Sequence, residues 1–231
     1  MPPVMLCLED PDNKVRYYAC ESLFNITKVT RGGILPYFNE IFGHLCTLSA
    51  DPDPNVRNAA ELLDNLVKEI VTERRSFDVP RFVHEMLSKR IYVTNAEARK
   101  FLVSWIMVLD AVPGMDLVQY LPYFLDGLFK MLNDPSDEIR STVVTCLFEL
   151  LKEMRHKPGR VEFAQLVPIL VPQCNVNDQY QHVTSLTAMS WVHETIASGK
   201  EAILPLCGEL LNGILPGVSQ EKPWFLLSCP P

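Results

Sequence analysis

The stretch DPDNKVR at residues 10–16 returns along the chain as DPDPNVR at 51–57 and as DPSDEIR at 134–140. A weakened copy, NAEAR, lies at residues 95–99. The arginines that end the four copies are spaced by 41, 42 and 41 residues. A fixed period of about 40–47 residues with helix signals in each unit is typical of HEAT and armadillo arrays. The stretch therefore predicts an all-α, right-handed solenoid of about five helix-pair repeats, each of which buries its apolar face against its neighbours.

An amphipathic helix follows each copy of this turn motif. In the second unit, apolar side chains recur at offsets that place them on one stripe of an α-helix. They are Val56, Ala59, Ala60, Leu63, Leu66, Val67 and Ile70. Aspartate before a helix and proline in its first turn both favour a helix start. The pattern predicts second helices near residues 13–30, 54–72, 95–111, 136–155 and 179–198.

The first helix of each unit is marked by a proline among aliphatic residues, at Pro36, Pro80, Pro122, Pro168 and Pro205. Proline is tolerated early in a helix because its fixed φ suits the first turn. Each repeat is therefore expected to be an αα-hairpin. First helices are predicted near residues 35–49, 79–91, 117–132, 162–174 and 201–215, with residues 1–8 ending an earlier one.

The repeat pattern predicts one array over residues 1–216 that begins with a partial repeat. Residues 217–231 have no helical period and no turn motif, and they contain the apolar run WFLL at 224–227. Because a terminal repeat normally carries a polar cap, we interpret this segment as an irregular tail. We therefore expect the chain to be a truncated or alternatively ended piece of a longer protein.

Composition bears on partners and compartment. The net charge of −7 and the pI of about 5.3 argue against nucleic acid and against electrostatic binding to anionic lipid. The seven cysteines are odd in number and include no CxxC pair, which favours a reducing, cytoplasmic compartment. The longest apolar run, at residues 101–109, is too short to cross a membrane. We expect no direct membrane insertion.

Motifs for catalysis and cofactor binding are missing from the sequence. It contains no GxxxxGK[ST], GxSxG or GxGxxG pattern, and HETIA at residues 193–197 lacks the second histidine of HExxH. The five histidines are scattered over different units, whereas a metal site needs three or four ligands. We expect no enzymatic activity, no cofactor and no bound metal.

The arginines of the turn motif recur together with its aspartates. They could form a basic stripe for phosphate groups, but their pairing with acids favours a ladder in which each arginine reaches the aspartate of a neighbouring turn. Such a ladder would stabilise the stacking of one unit on the next. Its predicted members are Asp10, Arg16, Asp51, Arg57, Arg99, Asp134 and Arg140.

Residues off the apolar stripe of the second helices are candidates for a shared protein-binding face. The helix around Trp105 is apolar nearly all round, so it is either buried on most sides or covered by a partner. Val103 and Met107 on this helix therefore belong either to the core or to an exposed docking patch. The predicted face comprises Tyr17, Asn58, Glu61, Val103, Met107, Val144 and Phe148.

Three stretches resemble a known family. LEDPDNKVRYYACESLFNITK at residues 8–28 is very similar to the N-terminal HEAT region of the vacuole-morphology scaffolds. DPDPNVRNAAELLDNLVKEIVTE at 51–73 and YLPYFLDGLF at 120–129 resemble the same region. The similarity extends over about residues 2–216 and covers a minority of the family's full chain, whereas residues 217–231 do not match.

The resemblance implies a non-catalytic scaffold. Members of the family are regulatory subunits of the phosphatidylinositol-3-phosphate 5-kinase complex and assemble that kinase with a Sac-type phosphoinositide phosphatase. They thereby control phosphatidylinositol 3,5-bisphosphate synthesis on endosomal or vacuolar membranes, where they are peripheral. The N-terminal repeats are associated with the kinase, and the C-terminal part with the phosphatase and with self-association. The resemblance therefore implies kinase binding for this chain, and self-association is expected to need the missing C-terminal region.

Two other classes of function remain open. A generic HEAT adaptor for another complex, such as a transport or phosphatase scaffold, would share the fold and differ in the partner its groove accepts. A HEAT-like DNA-processing enzyme would need a basic concave face and a catalytic carboxylate in an aromatic pocket. The negative net charge and the lack of lysine or arginine among the residues of the predicted face argue against the enzyme.

Overall fold

The computed structural model describes residues 2–73, 77–175 and 183–218, and every regular element within these ranges is helical. The predicted all-α fold is confirmed. The chain divides into two compact units, Met1–Asp116 and Leu117–Pro231. One continuous array over residues 1–216 stays a prediction. No helix within the described ranges is both long and apolar enough to cross a membrane.

The first unit alternates long second helices with shorter, interrupted first helices. A 3₁₀ segment, Arg31–Tyr37, precedes α3, and a π-helical turn, Val83–Leu87, joins α5 to α6. The α-helices are α1 (Pro2–Cys7), α2 (Asn13–Thr30), α3 (Phe38–Leu48), α4 (Pro54–Glu73), α5 (Val79–Phe82), α6 (Ser88–Arg90) and α7 (Ala96–Asp110).

Short polar side chains start the second helices of this unit. Asp12 caps α2 by accepting a hydrogen bond from the Lys14 amide at 2.8 Å. Asn95 caps α7 by accepting from the amides of Glu97 and Ala98, at 2.9 and 3.2 Å. These bonds satisfy amides that have no partner inside the helix, so the helix start is fixed by its own neighbouring residues.

The core of the first unit is a cluster of aromatic rings. Phe42 and Phe82 meet edge to face with centroids 4.9 Å apart, and Phe38 lies 5.3 Å from Trp105. Phe42, Phe82 and Trp105 are fully buried. Edge-to-face aromatic pairs add about 0.5–1.5 kcal/mol each beyond the area they bury. The cluster therefore joins α3, α5 and α7 and holds the first helices against the second.

The second unit repeats the helix-pair pattern. Inside it, Trp191 packs edge to face on Phe129 with centroids 6.3 Å apart. Its 3₁₀ segments are Val118–Tyr123, Pro158–Arg160 and Lys200–Leu206. Its α-helices are α8 (Leu125–Met131), α9 (Asp137–His156), α10 (Phe163–Gln173), α11 (Val183–Gly199) and α12 (Cys207–Val218).

The predicted second helices agree with α2, α4, α7 and α9 to within one or two residues, and residues 179–182 lie outside the described ranges. Three of the predicted first helices begin too early, whereas those predicted from residues 79 and 162 agree with α5 and α10. Pro36, Pro122 and Pro205 lie in 3₁₀ segments, where the missing proline N–H removes one α-helical hydrogen bond, and regular α-helix starts only after them. Helix α10, by contrast, continues through Pro168 and Pro172. Helix α12 runs to Val218, two residues into the predicted tail at 217–231, and residues 219–231 lie outside the described ranges.

Candidate partner-binding surface

The turn arginines bind the carbonyl oxygens of their own turns. Arg16 Nη1 donates to the carbonyls of Asp10 and Pro11 at 2.8 and 3.0 Å. Arg57 does the same to Asp51 and Pro52 at 2.6 and 3.2 Å. The guanidinium thus closes the loop in front of each second helix. The constant separation of six residues between the aspartate and the arginine is the sequence signal from which this role could have been predicted.

Arg140 repeats this arrangement in the second unit. Its Nη1 donates to the carbonyls of Asp134 and Pro135 at 2.7 and 3.0 Å. In the weakened copy, Arg99 Nε donates to the Val93 carbonyl at 2.8 Å. The turn-closing bond therefore recurs even where the Asp-Pro pair has been lost.

Arg16 also makes an ion pair between successive turns. Its Nε and Nη2 lie 2.7 and 2.9 Å from the two carboxylate oxygens of Asp51, which is buried. The hydrogen bond to Asp51 raises the pKa of the Arg16 guanidinium. This bidentate pair has the geometry expected for one rung of the predicted ladder. The hydrogen bonds of Arg57, by contrast, both stay within its own turn.

Exposed apolar side chains lie on α1 and α2. Tyr17 and Tyr18 are both exposed, and their rings meet edge to face with centroids 5.3 Å apart. Tyr18 is 62% exposed and Leu6 of α1 is 74% exposed. Tyr17 belonged to the predicted face, whereas Tyr18 and Leu6 did not. Large exposed apolar groups that lie close together are typical of protein-binding surfaces.

Helix α4 carries further exposed side chains. Asn58 and Glu61, two members of the predicted face, are exposed and lie one helical turn apart. Leu62 is 63% exposed beside them and was missed by the sequence analysis. It lies off the apolar stripe of its helix, and that position is the signal that would have revealed it.

Helix α7 corrects one residue of the predicted face. Val103 is only 1% exposed and therefore cannot contact a partner directly. The reason is that α7 buries side chains on most of its circumference, and these include Leu102, Trp105 and Ile106. Met107 is half-buried and keeps part of its side chain at the surface.

A groove of about 340 Å³ lies between α4 and α7. At its floor, Asp64 accepts hydrogen bonds from Trp105 Nε1 and Lys68 Nζ, each at 2.7 Å. Lys68 Nζ also donates to Ser104 Oγ at 2.9 Å and lies 5.5 Å from the Trp105 ring. Burial raises the pKa of the Asp64 carboxyl, while Lys68 and Trp105 oppose that shift. Asn58 and Glu61 line the groove nearer to solvent.

The second unit carries the remaining residues of the predicted face. Val144 and Phe148 are exposed on α9, one turn apart. Lys152 Nζ lies 5.0 Å from the centre of the Phe148 ring, within the range of a cation–π contact. Among the described residues, no group of three or more His, Cys, Asp or Glu side chains is gathered that could hold a metal ion.

Two family models match the chain. Residues 1–69 match the Vacuolar 14 Fab1-binding region, and residues 124–154 match the HEAT repeat. The first match covers α1, α2, α3 and most of α4, so it includes the exposed side chains of Tyr17, Tyr18, Glu61 and Leu62.

Three curated relatives extend the comparison. A VAC14 homologue of Arabidopsis thaliana is 45% identical over 96% of this chain and 29% of its own length. A VAC14 homologue of Schizosaccharomyces pombe is 40% identical over 70% of this chain and 24% of its own. The vacuole morphology and inheritance protein 14 of Saccharomyces cerevisiae is 41% identical over 67% of this chain and 22% of its own. The chain thus spans less than a third of each relative.

The paired helices and their recurring Asp-Pro turns define an all-α repeat protein of the HEAT class. The sequence relationship is more specific than that class, because it holds at 40–45% identity and residues 1–69 match the model of the Fab1-binding region. These matches support a Vac14-type HEAT-repeat protein.

Proposed function

We propose that this chain is a non-catalytic scaffold that binds a Fab1-type lipid kinase through the exposed faces of α2 and α4. The match of residues 1–69 to the Fab1-binding region carries the proposal. Within those residues, Tyr18 and Leu62 supply large exposed apolar side chains. Aromatic and aliphatic anchors of this kind dominate the energetics of protein interfaces.

The scaffold would act by positioning its partner. Buried aromatic rings and the turn-closing arginines fix the second helices, so binding would cost little ordering of the surface. A kinase held next to a second bound enzyme experiences a high effective concentration without any new chemistry. The rest of the predicted face, Met107 in the first unit and Val144 and Phe148 in the second, belongs to the same proposal.

The finer functions implied by the resemblance are part of the proposal too. They are control of phosphatidylinositol 3,5-bisphosphate synthesis, assembly with a Sac-type phosphatase, and a peripheral place on endosomal or vacuolar membranes reached through partners. The Saccharomyces relative is named for vacuole morphology and inheritance, which supports a vacuolar setting.

The test is capture of a purified Fab1-type kinase by this chain, with the affinity measured by titration. Tyr18→Ala and Leu62→Ala should each weaken binding about tenfold, as expected when an interface anchor is truncated. Leu204→Ala is the matched control, because Leu204 is equally exposed but lies in the second unit and outside the predicted face. Circular dichroism should show all three variants folded.

Two results would contradict the proposal. One is the absence of kinase binding by the unmodified, folded chain. The other is binding that neither Tyr18→Ala nor Leu62→Ala weakens relative to Leu204→Ala, since it would place the contact away from α2 and α4.

A further inference from the structure

The groove between α4 and α7 contains six charged side chains, and most of them are already engaged. Asp64 pairs with Lys68 at 2.7 Å, and Glu97 pairs with Lys100 at 3.5 Å. At the end nearest the turn, Arg57 donates to two main-chain carbonyls. These contacts involve five of the six charged groups, and the sixth is the carboxylate of Glu61.

Glu61 is the exception within this groove. Its side chain is exposed, and among the described residues it has no hydrogen bond and no ion pair. It lies one turn from the buried Asp64, and repulsion between the two carboxylates contributes to the raised pKa of Asp64. A cation bound at Glu61 would relieve that repulsion, so the electrostatics near Glu61 favour a positively charged group of a binding partner.

Lys68, at the floor of the groove, can donate a hydrogen bond to the main chain of a bound segment. An ammonium group has three N–H donors, and Lys68 gives one to Asp64 and one to Ser104. The third donor can reach a carbonyl oxygen of a segment lying above it. Asn58, at the rim on the same helix, has an amide group that can both donate to and accept from a peptide bond.

Only part of the groove lies within the residues that match the Fab1-binding region. Its α4 side is inside residues 1–69, whereas its α7 side, with Glu97, Lys100 and Ser104, is outside them. A partner segment that enters this groove would therefore contact side chains of α7 as well as those of α4.

We infer that this groove receives an extended segment of the kinase, with a lysine or arginine of that segment paired to Glu61. A main-chain carbonyl of the segment accepts from Lys68 Nζ, and Asn58 bonds a neighbouring peptide group. The inference rests on the proposed function, and it adds the chemistry of the recognised segment and the participation of α7.

The experiment measures kinase affinity for variants of the whole chain at two salt concentrations. Glu61→Gln should weaken binding about fivefold and reduce its salt dependence, and Glu61→Lys should weaken it about thirtyfold. Lys100→Ala should strengthen binding about twofold, because it frees Glu97 to attract the basic segment. A gain of affinity cannot arise from misfolding. Glu40→Gln on α3 is the matched control, since Glu40 is exposed but lies outside the groove.

The outcomes separate the two proposals. If the unmodified chain binds the kinase, and Glu61→Gln and Glu61→Lys match Glu40→Gln in affinity and salt dependence, the groove is not the recognition site and the scaffold proposal still stands. If Lys100→Ala weakens binding while the Glu61 variants strengthen it, the segment is acidic and the inference is overturned. If the unmodified chain binds no kinase, the proposed function fails and this inference fails with it.

Discussion

Arginine at the end of each turn motif has more than one structural role in this chain. It closes its own loop through carbonyl hydrogen bonds, and in Arg16 it also pairs with the carboxylate of the next turn. A guanidinium can make both sets of bonds because its donors form a rigid, planar fork. A lysine at the same place would keep the charge and lose the fork.

This difference gives a stability prediction. Arg16→Lys should lower the free energy of unfolding by about 1 kcal/mol more than Arg57→Lys, because only Arg16 loses a bidentate bond to a buried carboxylate. Urea unfolding of the two variants measures the difference. Equal losses would mean that the pair with Asp51 adds nothing to the carbonyl bonds.

A pH prediction follows from Glu194 in the second unit. Hydrogen bonds from Arg155, at 2.8 Å, and from Ser198, at 2.6 Å, lower the pKa of the Glu194 carboxyl. Folding therefore favours the charged form of Glu194. Its contribution to the free energy of unfolding is present above the unfolded-state pKa of about 4.3 and is lost as the pH falls through the folded-state pKa. Glu194→Gln should lower the melting temperature at pH 7. At acid pH, the melting temperatures of the variant and of the unmodified chain should become equal. Parallel melting curves from pH 7 to pH 3 would contradict this assignment.

At the scale of the helix, local and distant interactions set different features. The starts of α2 and α7 follow from caps made by Asp12 and Asn95, which lie next to the amides they satisfy. The starts of α3, α8 and α12 depend instead on how a 3₁₀ segment containing a proline packs, and the sequence pattern predicted these three starts several residues too early. Helix starts are therefore predictable where the cap is local.

Helix α12 provides a matched pair of glycines for testing close packing. A Cβ at Gly213 would lie 2.7 Å from Val171 Cγ1, whereas one at Gly208 would meet nothing within 4 Å. Gly213→Ala should destabilise the chain by about 1–2 kcal/mol, because the β-branched valine cannot move aside easily. Gly208→Ala should stabilise it by about 0.5–1 kcal/mol through helix propensity. Thermal unfolding of the two variants measures these changes in stability. Stabilisation by both substitutions would refute the close α10–α12 contact.

At the scale of the whole molecule, the charge balance bears on how the chain would reach a membrane. With a net charge of −7, it should be repelled by anionic lipid surfaces. This agrees with the proposal that contact with membranes is made through partners.

The corresponding prediction concerns vesicles. The chain alone should not co-sediment with phosphatidylserine vesicles at low salt, and adding the kinase should bring it into the pellet. A basic protein of similar size serves as the positive control. Salt-sensitive co-sedimentation of the chain alone would show a lipid-binding surface of its own and would contradict the partner-mediated route.

Features that depend on residues close together in the chain can be predicted from the amino-acid sequence alone. The Asp-Pro turns, the caps and the apolar stripes involve partners within a few positions, so they predict the helix pairs and their period of 41 or 42 residues. The family relationship was also readable from residues 8–28, because that stretch is more specific than a general HEAT pattern.

Which side chains are available at the surface follows from the packing of the folded chain. It buries Val103, exposes Leu62, and pairs Asp64 with a tryptophan 41 residues away. Within the described part of the chain, it also leaves Glu61 without an ion pair beside a groove that two different repeats enclose. Exposure and pairing depend on neighbours that lie about one repeat away in sequence, and helical periodicity identifies the apolar side of each helix without showing what covers the other sides.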